Sequence, residues 1–121
     1  MKDETRKGED LKVRTKKFAL RIIRPYSALS KQTVTQVLGK QLLRSGTSIG
    51  AHYREAFRAK SRADFISKME GALQELDETQ YWLELLVESG TVPKKLLRPL
   101  LEETNELISI FVTIVKRTKD H

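Results

Sequence analysis

Residues 41–56 read QLLRSGTSIGAHYREA, a helical pattern built largely from small side chains. Each glycine inside a helix costs roughly 0.5–1 kcal/mol relative to alanine, so Gly46 and Gly50 need a compensating gain. Because the two glycines lie one turn apart, we expect them to let a neighbouring helix approach closely. A phosphate-binding loop is the alternative, but the sequence contains neither of the common glycine-rich phosphate motifs.

On the N-terminal side of this stretch, apolar residues recur at helical spacing from Asp10 onward, and Pro25 should kink or end that first helix. Residues 1–9 are polar and are expected to form a flexible arm before a single domain over residues 10–121. The second helix should run from just after Ser30 to about Ala59. Its predicted buried face consists of Val34, Leu38, Gln41, Leu42, Ser45, Ile49, His52, Ala56 and Phe57.

On the C-terminal side, two more helices are predicted. Ser61 followed by Asp64 fits a variant of the helix N-cap, and Gly90 is a stop signal for this third helix. Pro93 can occupy the first turn of a fourth helix. Strand alternation is absent and the connections are short, so the predicted fold is all-α, an antiparallel up-down-up-down four-helix bundle.

The composition excludes several classes of function. A chain of 121 residues with 39% apolar and 32% charged residues fits one globular domain, and no apolar run is long enough for a membrane span. Cysteine is absent, histidine occurs twice, and no Glu-x-x-His motif of a di-iron bundle is present. We therefore expect no metal, no cofactor and no catalytic residue. The charged N-terminus lacks an apolar signal segment, which predicts a cytoplasmic protein.

The positive charge of the chain is unevenly distributed. The net charge is +7, yet residues 61–90 contain two basic and seven acidic residues. A basic protein makes RNA or DNA a partner worth testing. Helix 1 has a basic stripe that either contacts phosphates or forms an ion ladder with acids of helix 3, within or between subunits: Arg14, Lys17, Arg21 and Arg24. The better local candidate for nucleic acid is the turn between helices 2 and 3, with Arg54, Arg58, Lys60 and Arg62.

Helix 3 divides its carboxylates between two flanks. With Leu76 at the centre of the buried face, a rotation of 100° per residue brings one set into an acidic stripe: Glu70, Asp77, Glu84 and Glu88. Glu75, Glu78 and Trp82 fall on the other flank, where Trp82 can bury its ring while its N–H seeks an acceptor. We interpret Glu55, Glu75 and Glu78 as packing and hydrogen-bonding residues, and His52 as a satisfied, half-buried polar residue.

Helix 4 carries an unusually apolar segment over residues 107–115, where only Ser109 and Thr113 are polar. A surface helix needs only about a third of its circumference buried. Ile110 and Ile114 point away from the main apolar stripe, and we expect them to enter a subunit interface. The alternative is a thick core at that end of the bundle.

Three segments together resemble a known family: FALRII at residues 18–23, QLLRSGTSIGAHYREA at 41–56 and DFISKMEGALQELDETQYWLELL at 64–86. Over roughly residues 11–118 they resemble the bacterial 23S rRNA intervening-sequence proteins. The resemblance implies a four-helix bundle that assembles into a barrel-shaped homopentamer without known catalytic activity. The matching positions with a structural role include Ser48, Gly50, Glu55, Glu75, Glu78 and Trp82, whereas His52 stands where the family usually has Asn.

A related branch, the accessory variability proteins of diversity-generating retroelements, is a basic pentamer that partners a reverse transcriptase and RNA or DNA. The sequence therefore favours a non-catalytic homo-oligomer that binds nucleic acid through phosphate contacts. The alternatives are an accessory protein that partners a reverse transcriptase, and a scaffold that docks another protein without binding nucleic acid.

Overall fold

The computed structural model describes the backbone of residues 2–121 and the side chains of Gly8 and residues 10–121. Over that range the chain forms four α-helices and no strand: α1 (Lys2–Ser27), α2 (Thr33–Phe57), α3 (Arg62–Glu88) and α4 (Lys94–Lys119). Each helix packs on the next along the chain, the backbones of α1 and α4 come close at few positions, and among the described residues the backbones of α1 and α3 do not come close. The helices therefore form a four-helix bundle in which α1 and α3 lie on a diagonal.

The helix ends follow the predicted sequence signals. The Ser61 hydroxyl caps α3 by accepting a hydrogen bond from the backbone N–H of Asp64 at 3.0 Å. Gly90 follows α3 with φ +75°, a backbone conformation that side chains with a Cβ rarely adopt. Pro93 is the N-cap of α4, and Pro25 lies in the last turn of α1, near the predicted stop.

The N-terminal helix is longer than the apolar pattern predicts, because α1 begins at Lys2 rather than near Asp10. The predicted flexible arm, residues 1–9, lies outside the described side chains except for Gly8, so its flexibility stays a prediction. In the part of the chain that the structure describes, no helix combines the length and apolar character needed to cross a bilayer.

A continuous apolar core runs through the bundle and receives side chains from every helix. The fully buried members include Phe18, Ile22, Ile49, Met69, Leu76, Leu83, Leu107 and Phe111. Two residues of the predicted buried face of α2 lie outside this core, since Val34 is 58% exposed and Phe57 is 36% exposed. Tyr53 is buried instead, four residues after Ile49, and its hydroxyl donates a hydrogen bond to the carbonyl oxygen of Gly8 at 3.1 Å.

Several hydroxyl groups lie inside this core and are satisfied locally. Thr15 donates to the carbonyl oxygen of Leu11 at 2.7 Å, a bond within one helix. The hydroxyl of Thr79 is buried at the α2–α3 contact, where it donates to the Ser45 hydroxyl oxygen at 2.9 Å. Hydrogen-bonded hydroxyls remove the cost of burying a polar group, so these small residues can line close helix contacts.

The two glycines of α2 lie where α1 crosses it. A Cβ atom built on Gly50 would lie 3.2 Å from the Thr15 hydroxyl oxygen and 3.4 Å from Thr15 Cβ. A Cβ atom on Gly46 would collide with the side chain of Ile22, which is 1% exposed and surrounded by the core. The predicted role of Gly46 and Gly50 in close helix packing is confirmed.

We expect Gly50→Leu to lower the free energy of unfolding by about 1–3 kcal/mol, because the new side chain must displace Thr15 or separate α1 from α2. Chemical denaturation monitored by circular dichroism measures the change. The matched control is Ala51→Leu on the exposed side of the same turn, where we expect a change within about 0.5 kcal/mol. Equal stability of the two variants would contradict the close contact at Gly50.

Candidate nucleic-acid interface

The turn between α2 and α3 gathers three of the predicted nucleic-acid residues. Arg58 is the C-cap of α2, Lys60 lies in the turn, and Arg62 is the first residue of α3. Backbone hydrogen bonds hold the turn, including one from the Ala59 N–H to the Ala56 carbonyl oxygen at 3.0 Å. All three cationic side chains are exposed, and none forms a salt bridge with another described residue. The turn therefore presents three exposed cations that are not ion-paired with any described residue.

The end of α4 adds a cation that the sequence analysis missed. Arg117 and Arg62 line the same open groove of about 350 Å³, together with Thr118 and His121. The signal that could have found it is the group of basic residues in the last turn of α4, a position favoured by the helix dipole. We refer to Arg58, Lys60, Arg62 and Arg117 as the basic end.

Arg54, the fourth residue predicted at this turn, lies one helical turn before Arg58 on α2. It lines an open groove of about 290 Å³ between α1 and α2, with Lys12 and Lys16 on the opposite side. The Lys12 ammonium group also lies 3.9 Å from the centre of the Phe57 ring, in a cation–π contact. The structure thus extends the positive surface from the basic end along the α1–α2 seam.

The basic stripe of α1 is divided in its contacts. Arg14 donates from Nε to Glu103 Oε2 at 2.8 Å and from Nη2 to Glu103 Oε1 at 2.7 Å, and Nη2 lies 3.1 Å from Glu106 Oε1. The hydrogen bonds from Arg14 lower the pKa of Glu103 despite the opposing effect of burial, and the charge of Arg21 lowers it further. Arg14 is thus engaged by carboxylates of its own chain, whereas Lys17 and Arg24 form no salt bridge with another described residue.

The acidic stripe of α3 does not form the predicted ion ladder with α1 inside the chain, because the two helices lie on the diagonal of the bundle. The acidic partners of α1 come from α4 instead. Within the acidic stripe, Glu70 pairs with Lys119 at 2.9 Å. The other three acids, Asp77, Glu84 and Glu88, form no salt bridge among the described residues. A ladder between subunits stays a prediction.

The carboxylates on the other flank of α3 bind an arginine of α2. Arg44 donates from Nη2 to Glu78 Oε2 at 2.8 Å and from Nη1 to Glu75 Oε2 at 3.4 Å, and these contacts raise the pKa of Arg44. Glu55 pairs with Lys68 at 3.5 Å across the same helix contact. Glu75 and Glu78 thus make the predicted hydrogen bonds to α2, whereas Glu55 forms an exposed ion pair without a hydrogen bond to a described residue. Among the described side chains, no three His, Asp or Glu residues are grouped to hold a metal ion.

Of two other motif residues, Ser48 forms a hydrogen bond through its side chain and Trp82 does not. Ser48 donates to the Arg44 carbonyl oxygen at 2.6 Å. The Trp82 ring is half-buried and contacts Tyr81 edge to face, but its buried Nε1 has no acceptor among the described residues. The acceptor that the sequence analysis expected for Trp82 is therefore not supplied by these residues.

His52 is half-buried as predicted and packs over α3. A Cβ atom on Gly71 would lie 3.0 Å from its Nδ1, so the imidazole occupies the space left by that glycine. No hydrogen bond joins the ring to another described residue. The contact of His52 with α3 is therefore a packing contact.

Ile110 and Ile114 are partly buried against the core rather than fully exposed. They line an open groove of about 400 Å³ between α1 and α4, together with Leu11 and Arg14. Val112, on the opposite side of α4, is 48% exposed and lines a different groove with Leu73 of α3. The groove follows from the sparse contact between α1 and α4, and its place in a subunit interface stays a prediction.

Both the sequence and the fold are similar to those of known proteins. The sequence model of the 23S rRNA-intervening sequence protein family matches residues 9–113. A crystal structure of a protein of unknown function from the S23 ribosomal protein family of Bacteroides thetaiotaomicron is 41% identical, with a TM-score of 0.84; the match covers 91% of this chain and 98% of that chain. No curated protein matches the chain.

The Arg14–Glu103 contact makes stability depend on pH. Because the pKa of Glu103 is lower in the folded chain, its stabilising effect is present above about 4.5, the ordinary value, and is lost as the pH falls through the folded pKa. We expect Glu103→Gln to lower the free energy of unfolding by about 1 kcal/mol at pH 7, since both side chains are partly exposed. Urea denaturation should show this difference shrinking below pH 4.5. The control Glu102→Gln, at an exposed position, should show no such pH dependence.

Proposed function

Because the chain belongs to the 23S rRNA-intervening sequence protein family, we propose that it is a non-catalytic, homo-oligomeric bundle protein of the cytoplasm that binds RNA or DNA through its basic surface. The observation that carries the proposal is the basic end, where Arg58, Lys60, Arg62 and Arg117 project from three helix ends. None of these four cations forms a salt bridge with another described residue, and exposed cations of this kind attract phosphate groups from any nucleotide sequence.

The proposal includes an antiparallel, up-down-up-down course of the helices. The order of contacts supports it, because residue numbers rise along one helix while those of its partners fall along the next. Between α1 and α2 the facing pairs are Thr15 with Gly50, Ile22 with Gly46 and Tyr26 with Gly39. The same reversal occurs between later helices, in the pairs Glu55 with Lys68, Ser45 with Thr79, Glu70 with Lys119 and Gln80 with Asn105.

The proposal also includes assembly into a barrel-shaped homopentamer. Support comes from the apolar groove between α1 and α4, where Ile110 and Ile114 are accessible to a partner. Leu96, 66% exposed at the start of α4, is a further apolar side chain that assembly can cover. A ring repeats the basic end around its axis, so each subunit contributes to a multivalent contact with one nucleic acid.

Phosphate contacts of this kind predict weak sequence preference and strong salt dependence. Each neutralised phosphate adds roughly 0.7–0.9 to the slope of log affinity against log salt concentration. We expect the triple variant Arg54→Gln/Arg58→Gln/Arg62→Gln to bind structured RNA and single-stranded or duplex DNA more weakly and with a flatter salt slope. Filter binding at salt concentrations from about 50 to 200 mM measures both quantities.

The matched control removes the same number of charges at the start of α4, with Lys94→Gln/Lys95→Gln/Arg98→Gln. All three control residues are exposed and belong to no salt bridge with a described residue. An equal loss of affinity in both variants would assign binding to net charge rather than to the basic surface. If wild-type protein binds none of these nucleic acids at about 50 mM salt, where screening is weakest, the proposal is wrong and a protein-docking scaffold is favoured.

Assembly has its own prediction. Light scattering of the wild-type chain should give a mass about five times the 13.9 kDa of one chain. Ile110→Glu should return it to the mass of one chain, because an unpaired carboxylate buried between subunits costs several kcal/mol. Val112→Glu, a change at a more exposed neighbour, should leave the mass unchanged, and circular dichroism should show helical signal in both variants. A wild-type mass of 13.9 kDa would contradict assembly.

A further inference from the structure

The exposed face of α1 carries two cations and two apolar side chains in a regular row. Val13, Lys17, Leu20 and Arg24 follow one another at intervals of four, three and four residues, which keeps them on one side of the helix. Val13 is 51% exposed and Leu20 is 43% exposed. A solvent-facing row of this kind leaves apolar surface uncovered beside unpaired positive charge.

The exposed face of α3 carries a row with the same intervals and the opposite charge. Its members are Asp77, Tyr81, Glu84 and Glu88, and Tyr81 is 54% exposed. No salt bridge joins these three acids to any described residue. Each row extends over about 16 Å at 1.5 Å per residue, so the two rows match in length as well as in spacing.

The position of two acids on α3 is itself unfavourable in an isolated chain. Glu84 and Glu88 lie near the C-terminal end of α3, where the helix dipole is negative, and no basic residue occupies the last turn. Cations brought to this helix end by a partner would remove the repulsion. Cations of the same chain's α1 do not meet this row, because α1 and α3 lie on the diagonal of the bundle.

We propose that the exposed row of α1 in one copy of the chain packs antiparallel against the exposed row of α3 in a second copy. In that register Lys17 faces Glu84, Leu20 faces Tyr81 and Arg24 faces Asp77, so an apolar pair lies between two pairs of opposite charge. The fourth pair, Val13 with Glu88 at the end of the rows, does not match in character. Parallel packing would instead place Leu20 against Glu84 and Lys17 against Tyr81. Only the antiparallel register places opposite charges together at two of these three positions and apolar side chains together at the third.

The contact uses different surfaces on the two copies, so every copy keeps one free α1 row and one free α3 row until a ring closes. This inference rests on the proposed homo-oligomer and adds to the groove at Ile110 and Ile114 a second pair of surfaces that meet between copies. It also separates the two groups of predicted nucleic-acid residues. Lys17 and Arg24 bind carboxylates of the next copy, and the basic end stays available for phosphates.

Charge reversal tests the pairing. We expect Lys17→Glu/Arg24→Asp to lose the oligomer at micromolar concentration, with a mass near 13.9 kDa by light scattering. Asp77→Arg/Glu84→Lys should do the same, and a chain carrying all four changes should recover the wild-type mass because the charges are again opposite. The matched control Lys95→Glu/Arg98→Asp changes the net charge equally at exposed residues of α4 and should keep the wild-type mass.

Disulfide trapping tests the register without removing charge. The chain contains no cysteine, so Leu20→Cys/Tyr81→Cys introduces the two thiols of the proposed apolar pair alone. Because α1 and α3 of one chain do not touch, any disulfide between these positions must join two copies. On mild oxidation we expect species larger than a dimer on a non-reducing gel, whereas Leu20→Cys alone should give at most dimers.

The results distinguish a failure of assembly from a failure of the α1–α3 contact. A wild-type mass of one chain would overturn assembly itself, and this inference with it. A wild-type oligomer whose mass survives both charge reversals, or whose double-cysteine variant gives no species beyond a dimer, would overturn the α1–α3 pairing alone. A weaker RNA affinity with an intact oligomer in Lys17→Glu/Arg24→Asp would also overturn it, by assigning the α1 row to phosphates.

Discussion

The close approach of α1 to α2 is the constraint on which the rest of the bundle depends. It requires that Gly46 and Gly50 carry no Cβ, since that space is filled by Ile22 and Thr15. Once α1 is held against α2, its buried face meets the core while its other flank reaches α4 at few positions. The sparse α1–α4 contact leaves the groove that exposes Ile110 and Ile114. The two glycines lower the helix propensity of α2, but the close α1–α2 contact that they allow determines where the molecule has an open apolar surface.

Small hydroxyl residues allow similarly close contact elsewhere. Thr15 and Thr104 return their hydrogen bonds to their own helices, and Thr79 shares one with Ser45 across the α2–α3 contact. These three residues therefore add no unsatisfied donor to the core, although the hydroxyl of Thr35, which is also buried, has no partner among the described residues. Trp82 differs, because its buried Nε1 finds no acceptor among the described residues. It is half-buried beside the exposed Tyr81, so this unsatisfied donor lies near the surface that faces solvent in a single chain.

Local signals in the sequence predicted the helices well, because Ser61, Gly90 and Pro93 act through their own backbone and need no distant partner. The apolar pattern was less reliable at the edges of a helix face, where it placed Phe57 in the core and omitted Tyr53. Ion pairs were harder to predict, since the sequence does not say which helices are diagonal. Arg14 therefore binds Glu103 on α4, although acids of α3, the more acidic helix, were among its predicted partners. Arg117 was missed for a similar reason, since its position beside Arg62 depends on how the end of α4 lies against the start of α3.

The two parts of the proposed function, assembly and binding of a polyanion, use different charged surfaces of the bundle. A cation that is paired with an acid of its own chain, such as Arg14 with Glu103, is not available to bind a phosphate or a carboxylate of another molecule. The rows on α1 and α3 are complementary but lie on helices that are not neighbours in one chain, whereas the four cations of the basic end form no salt bridge with another described residue. Exposed ion pairs are worth little singly and are screened by salt, so an interface held by such rows also needs its apolar members. Leu20 and Tyr81 supply these in the proposed contact. Phosphate binding at the basic end depends on charge alone. Nucleic acid should therefore dissociate at a lower salt concentration than the subunits do.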